Sequence, residues 1–588
     1  MTRQIATIWF VFACFFPLAA FKDPGPAPRP DAETELGYYP KDYFMRPVGD
    51  ALRLTGTFGE LRSNHFHSGI DIKSSTGYVG QAVYAAADGF IDRIKVEKSG
   101  YGNVLYIKHP NGYSTLYAHL DRFSPEIEAY VRKEQYAKQR FEVNLYPPDG
   151  KFTVKKGAEI AKLGNSGGST GPHLHFEIRH SDTGKALNPL LFGLPVTDDI
   201  PPDVRDMKLY FLNEDRSVQH SKAFPIRKLG KGKYGVVGDT VDIGAWRVGF
   251  GVKTYDQLNG LSNDNGVYAI EMFINGQLAY GWRMNELDFD ETRYMNAHVD
   301  FAANKQYGAW FHRLFVLPGN RLSDYDKTET LGLIALYREK PQEVYIKVLD
   351  AAGNRSDVRF WVRRSDNMIT IPTPAYNQKL AWDAENEVQF DGVSVSMPKG
   401  VLYENLLFQY STTPDPNTDV FSPVHHIHRE TTPAHRYFDL AIRPNGISEN
   451  RLQKAVVVQC GNRKPVNCGG DYRADGMVHT RVREFGDYNI MIDDVPPTIT
   501  PIVFDADMQR KNSLVFRIND NFETTAQAQS LRYRGTIDGQ WVLFEYDSKR
   551  DRLTHNFDQR TGPGEHLLRL EVTDDRDNQT VFERTFTR

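Results

Sequence analysis

The sequence Asp198-Asp199-Ile200-Pro201-Pro202 returns almost unchanged as Asp493-Asp494-Val495-Pro496-Pro497, and each copy opens a new stretch of alternating apolar and polar residues. A chain that restarts in this way must fold as several modules. Each stretch carries a hairpin signal, Ile274-Asn275-Gly276-Gln277 in the first and Ile537-Asp538-Gly539-Gln540 in the second. Asn-Gly and Asp-Gly pairs suit a two-residue type I′ turn, where both central residues take positive φ. Each stretch closes alike, with Asp350 four residues before Asn354 and Asp574 four before Asn578, ahead of a last apolar run. Paired β-sandwich domains are the expectation.

Short alternating runs also fill 52–195, among them Val104–Lys108, Tyr113–Tyr117 and Leu174–Ile178, separated by Gly and Asn. They predict a compact antiparallel domain. Within it, Pro125–Gln139 places Ile127, Tyr130, Val131 and Tyr136 at near-helical intervals, and reads as an inserted helix. The fold class is therefore mainly β: a small antiparallel domain with an inserted helix, followed by several β-sandwiches. The predicted segments are 1–20, 21–51, 52–195, 196–364, 365–492 and 493–588.

A length of 588 residues agrees with roughly three to five domains. The net charge of −4 is near balance and no basic stripe appears, which removes nucleic acid as a partner. Residues 1–20 have a basic start, an apolar run from Ile5 and small residues at Ala19-Ala20, the pattern of a secretory signal peptide. The run falls short of a membrane span, so no stable span is expected after cleavage, and the protein should be exported to the periplasm, cell envelope or exterior. From Asp23 to about Glu35 the chain is proline-rich and reads as an extended, mobile tether. Export leaves Cys460 and Cys468, spaced to staple a hairpin in an oxidising compartment.

Chemistry concentrates in two histidine signatures, His67-Ser-Gly-Ile-Asp71 and Gly171-Pro-His173-Leu-His175-Phe-Glu177. Two imidazoles and a carboxylate from His67, Asp71 and His175 would fill three corners of a zinc tetrahedron, leaving one for water, the layout of catalytic zinc. Residues i and i+2 of a strand share a face, so His173 points to the same cleft as His175. His119, ending the run Leu116-Tyr117-Ala118, is the candidate second proton-handling histidine. A helical His-Glu-x-x-His motif is absent, so the site must be built on strands. The glycine-rich run Gly164–Pro172 lacks the Lys-Ser/Thr ending of a phosphate loop and is expected to shape the approach to the His-Leu-His strand. His65, His109 and His180 are read as ordinary polar residues. His425, His426, His428 and His435 form a weaker metal candidate without a carboxylate at the same spacing.

These signatures, with Tyr117-Ala-His119-Leu120 and Gly164-Asn-Ser-Gly-Gly-Ser-Thr-Gly-Pro-His173, resemble the M23 (lysostaphin/LytM-type) zinc metallopeptidases. The resemblance covers about residues 52–194. It implies a Zn2+ cofactor held by His67, Asp71 and His175, with His119 and His173 as catalytic histidines. It further implies a secreted endopeptidase that hydrolyses the stem peptides or crossbridges of bacterial peptidoglycan. Some family members lose ligands and survive as activators of other wall hydrolases, whereas every ligand is present here. A wall-binding scaffold or amidase activator, and a peptidase acting on exported proteins, are the alternatives. The interval from His119 to Lys151 is longer than the short link usual in the family. The tail modules look immunoglobulin-like in architecture.

Overall fold

A computed structural model describes Ala32, Leu36 and residues 38–588, apart from Asp239, Asn462, Arg463 and Ala526. The expected signal peptide lies outside the described residues, as does most of the tether. The one described tether position departs from expectation: Ala32 is buried, and its N–H faces the Glu271 carboxylate at 3.4 Å. No helix among the described residues is long and apolar enough to cross a membrane.

The chain is built of mainly antiparallel sheets, with parallel pairs where Lys233–Gly235 and Thr240–Ile243 join Arg355–Arg364 and where Val466–Asn467 joins Glu523–Thr524. In the first domain the strand order runs Leu54–Gly56, Ile70–Lys73, His173–His180, Tyr113–Ala118, Asn103–Lys108, Gly89–Val96 and Val143–Leu145. A smaller sheet joins Ala82–Tyr84, Glu159–Leu163 and Leu120–Phe123. The central strand His173–His180 shows why period two matters: Leu174, Phe176 and Ile178 enter the hydrophobic core, while His173, His175 and Glu177 face the other way. Register places His175 opposite Asp71 on one side and opposite Ala118 on the other. Three sequence-distant segments thus meet at one level of the sheet.

The expected helix forms as Pro125–Lys138, with Pro at its first turn, Glu126 and Glu128 near its positive end, and Ile127 and Val131 buried. Its outer face meets the C-terminal module: Tyr136 packs edge-on to Trp541 at 5.2 Å, and Arg132 pairs with Glu545 at 3.5 Å.

Beyond residue 200 come three further pairs of sheets. A five-stranded and a seven-stranded sheet enclose Val248, Phe250, Ile346 and Val358, with helices Met295–His298 and Phe301–Tyr307 added, which the alternating pattern did not announce. A five- and a six-stranded sheet follow around Phe438, Val457 and Ile490. Two four-stranded sheets then close over Leu514, Phe516 and Leu570. Both hairpin signals form tight turns at positive φ, 49° and 80° at Asn275 and Gly276, 51° and 77° at Asp538 and Gly539. The sheets are not sealed modules. Leu258, Tyr268 and Leu349 sit in the first domain's core, and Ala186–Leu187 pairs with Glu286–Leu287.

The cysteine expectation fails on register. Val458 pairs with Asn467 and Gln459 with Val466, so Cys468 lies opposite Val457, donating its N–H to that carbonyl, and Cys460 falls three residues out of step. Both thiols are free.

Candidate metal centre

His67, Asp71 and His175 converge. His67 Nε2 lies 3.1 Å from Asp71 Oδ1 and 3.0 Å from His175 Nδ1, and His175 Nδ1 lies 2.9 Å from the same Asp71 oxygen. All three side chains are buried. Ligands about 2.0 Å from a tetrahedral zinc would stand about 3.3 Å apart, close to this triangle.

The outward nitrogens decide what the inward ones present. His67 Nδ1 is 2.8 Å from the Thr57 carbonyl, which can only accept, so this nitrogen carries the proton. His175 Nε2 is 2.8 Å from Glu177 Oε1. Burial alone would push Glu177 toward its neutral form, but Arg179 at 2.6 Å and His175 hold it well below the usual carboxylate range, and it too accepts. Neutral imidazoles in these orientations aim two nitrogen lone pairs at a carboxylate oxygen. Three acceptors at this spacing repel one another unless a positive charge sits among them. The protein groups alone resolve the conflict with a proton: burial opposes charge on His175, yet its hydrogen bonds to Asp71 and Glu177 raise its pKa to about 9. Burial lowers that of His67 to about 4. The donor set fits a divalent cation, and a proton occupies the same electrostatic niche.

His119 and His173 border this triangle. His119 follows strand Tyr113–Ala118 at a φ of 58°, which turns the chain out of the sheet, and its Nδ1 is 2.9 Å from the Ser166 carbonyl. His173 Nδ1 lies 2.9 Å from the Gly171 carbonyl, and its Nε2 stands 3.5 Å from Asp71 Oδ1. The two rings are 4.7 Å apart. Burial holds His119 down to about 3, so it is neutral with a free Nε2 at physiological pH.

Around these five stand residues that sequence reasoning missed. Glu177 also accepts from Tyr101 at 2.7 Å and from Ser68 at 2.8 Å, and Arg62 Nη2 meets the outer oxygen of Asp71 at 2.5 Å. Glu177 was discoverable, since His175, Glu177 and Arg179 share one face of a strand by period two. Tyr101, Arg62 and Thr57 had no local signal. Gly69 explains its own place in His67-Ser-Gly-Ile-Asp71: a Cβ there would lie 2.4 Å from the Phe176 carbonyl and 3.0 Å from His175 Nε2.

Residues 65–139 and 149–189 match the description of Peptidase family M23. Residues 65–189 form an M23-family domain. The match runs through the helix Pro125–Lys138 and breaks only at 140–148. Residues 377–493 match a Zu5-like domain. The M23 domain is 34% identical over 151 residues to the DD-carboxypeptidase/endopeptidase Mpg of Neisseria meningitidis serogroup B, covering 25% of this chain and 28% of that protein. It is 37% identical over 136 residues to the murein hydrolase activator NlpD of Escherichia coli, covering 23% and 28%. Among solved structures, a zinc-containing peptidase from Vibrio cholerae is 29% identical, with 24% of this chain and 37% of that one covered and a TM-score of 0.18. The chain thus spans little more than a quarter of the length of these two relatives.

Other histidines make separate contacts. In the M23 domain, His109 bonds the Asp88 carbonyl and Thr115, and His65 the Ser63 carbonyl. His180 packs against Tyr113. The histidines of the weaker candidate find four different partners: Tyr410 for His425, Asp487 for His426, Thr432 for His428 and Tyr403 for His435. They do not converge. The glycine-rich run folds beside the M23 centre, where Gly167, at a φ of 66°, presses so close to Gly102 that a Cβ would sit 2.4 Å from its nitrogen.

Proposed function

We propose that the M23 domain is a zinc endopeptidase of an exported, envelope-resident protein and cuts the peptide crosslinks of peptidoglycan. His67, Asp71 and His175 hold the ion, and His119 and His173 move protons. One observation carries this reading: three inward-facing acceptor atoms stand 2.9–3.1 Å apart, with the outward nitrogens of both imidazoles engaged by Thr57 and Glu177. Such outer contacts fix the tautomer and aim of metal-binding histidines. Bound zinc would polarise the scissile carbonyl and make hydroxide available near neutral pH.

The chain's own groups supply the rest. His119 donates from Nδ1 to the Ser166 carbonyl, which leaves Nε2 as a proton acceptor toward the cleft. His173 is held in the same sense by the Gly171 carbonyl. Two imidazoles whose rings stand 4.7 Å apart are suited to take the proton of an attacking water and return it to the leaving amine. Arg62 balances the charge of Asp71 from outside, and Tyr101 with Ser68 secures Glu177. The names of the relatives Mpg and NlpD support peptidoglycan as the setting.

The NlpD likeness also favours a second reading, in which the domain activates another hydrolase. Residues 37–588, loaded with zinc and incubated with purified peptidoglycan, distinguish the two by mass analysis of the products. Released crosslink fragments that disappear in His175→Ala support the peptidase. Fragments that persist in His175→Ala reject its mechanism, and no fragments with stimulation of a partner amidase favours the activator.

A further inference from the structure

The two repeated modules each carry three aspartates whose carboxylate oxygens lie within 4.8 Å of one another: Asp198, Asp256 and Asp350 in one, Asp493, Asp520 and Asp574 in the other. The sequence repeat explains the coincidence. Asp198 and Asp493 come from the Asp-Asp-x-Pro-Pro openings, and Asp350 and Asp574 from the closing Asp-x-x-x-Asn segments. Asn354 and Asn578 act identically, each donating 2.8 Å to its own aspartate and reaching back to the main-chain carbonyl of Asp198 or Asp493. The opening of each module is thereby tied to its last turn, with the third aspartate alongside.

Asp350 and Asp574 accept hydrogen bonds from their own turns, but the carboxylates beside them are poorly served by the protein. Asp256 is 3% exposed and its Oδ1 has no hydrogen bond, while Asp493 is fully buried with neither oxygen bonded. Asn521 influences Asp493 without meeting hydrogen-bond geometry. No lysine or arginine among the described residues pairs with Asp198, Asp256 or Asp350. Burial first, then mutual repulsion, raises Asp256 to about 9 and Asp350 to about 7. An unpaired buried carboxylate is destabilising, and the sequence repeat places the same arrangement in two modules. The second site has some relief, since Arg576 acts on Asp493 and Lys464 on Asp520.

We infer that each aspartate triad is a binding site for a hard divalent cation, Ca2+, which staples the start of its module to that module's own middle and last turn, beside the preceding domain. An all-oxygen donor set without His or Cys selects hard cations over zinc. Oxygens bound about 2.4 Å from Ca2+ can stand up to about 4.8 Å apart, a limit that each triad meets, whereas Mg2+ is held through one or two carboxylates and keeps several of its waters. The first site stands at the junction with the M23 domain. Asp256 and Asn265 exchange main-chain hydrogen bonds, the next residue, Gly266, donates 3.0 Å to Thr57 Oγ1, and the Thr57 carbonyl orients His67. The second abuts the preceding sandwich, where Lys454 reaches Asn578 at 2.8 Å and Arg576 the Gly470 carbonyl at 2.7 Å.

Equilibrium dialysis of the zinc-loaded chain, residues 37–588, against radiolabelled Ca2+ with excess Mg2+ tests this. Two ions per chain are expected, the first site binding more tightly, with Ca2+ raising the unfolding temperature. Asp256→Asn and Asp493→Asn should each leave one ion and together none, while His175→Ala keeps both, separating these sites from the zinc reading. Should Asp256→Asn fail to fold, Asp198→Asn at the half-buried edge replaces it. No uptake at millimolar Ca2+, uptake indifferent to these substitutions, or equal displacement by Mg2+ overturns the assignment.

Discussion

Lys549, in the C-terminal module, donates 3.1 Å to the main-chain carbonyl of Ser169, 380 residues earlier in the chain. The same ammonium also reaches the Asn165 carbonyl, and the Ser169 hydroxyl lies 3.1 Å from His173 Nδ1. The last module thus grips the loop whose Ser166 carbonyl and Ser169 hydroxyl support the two cleft histidines, His119 and His173. Lys549→Ala should lower turnover of peptidoglycan by several-fold to about tenfold by loosening this loop, without changing zinc content. Steady-state rates beside metal analysis check it. Loss of metal together with rate would show that the contact serves the centre and not the loop.

Glu177 is fully buried, accepts from His175 and leans on Arg179. Replacing it by Gln keeps the size but removes the charge that aims the ring. Zinc affinity should fall by about 10–100-fold in Glu177→Gln. Competition against a chromophoric chelator measures it, and wild-type affinity would place Glu177 outside the metal's support.

Gly69→Ala drives a methyl group toward the Phe176 carbonyl, 2.4 Å from the built Cβ. The two strands must part just where His175 faces Asp71. A destabilisation of about 1–3 kcal/mol is expected, as for other overpacked interiors, with weakened metal binding. Denaturant unfolding and metal titration of the same sample read both effects.

Metal ligands bind deprotonated, so zinc occupancy should fall as pH drops through the histidine range. Dialysis against zinc buffers from pH 8 to 4 follows the loss, and constant occupancy at pH 4 would contradict it.

A separate acid sensitivity comes from His312, buried beside His298 at 2.8 Å and held down to about 3 by burial. In the unfolded chain its pKa is about 6.5. Between these values the unfolded state binds a proton that the folded state refuses, so this contribution is complete above pH 6.5 and is lost as pH falls toward 3. Unfolding midpoints measured across that window should decline more steeply for the wild type than for His312→Gln.

Period-two alternation, Asn-Gly and Asp-Gly turns and the near-helical spacing of Pro125–Gln139 are local signals, and strands, hairpins and helix appear where they point. The histidine signatures were legible for the same reason, since His67 with Asp71 and His173 with His175 each sit within a few residues. Glu177 lay in plain view on the face of His175 and needed only the strand period to be noticed. The cysteines misled because spacing does not reveal register, and Val458 opposite Asn467 puts the two thiols out of step.

What sequence alone determined here is the chemistry available and the modular β plan, because both are written in contacts a few residues long. Tertiary structure decided which atoms meet: Thr57 behind His67, Tyr101 on Glu177, Lys549 on the loop of His173, and three aspartates from the two ends and middle of each repeat. Those meetings depend on strand order, register and the packing of one module on another. They are set by burial of surfaces far apart in the chain, which no short stretch of sequence encodes.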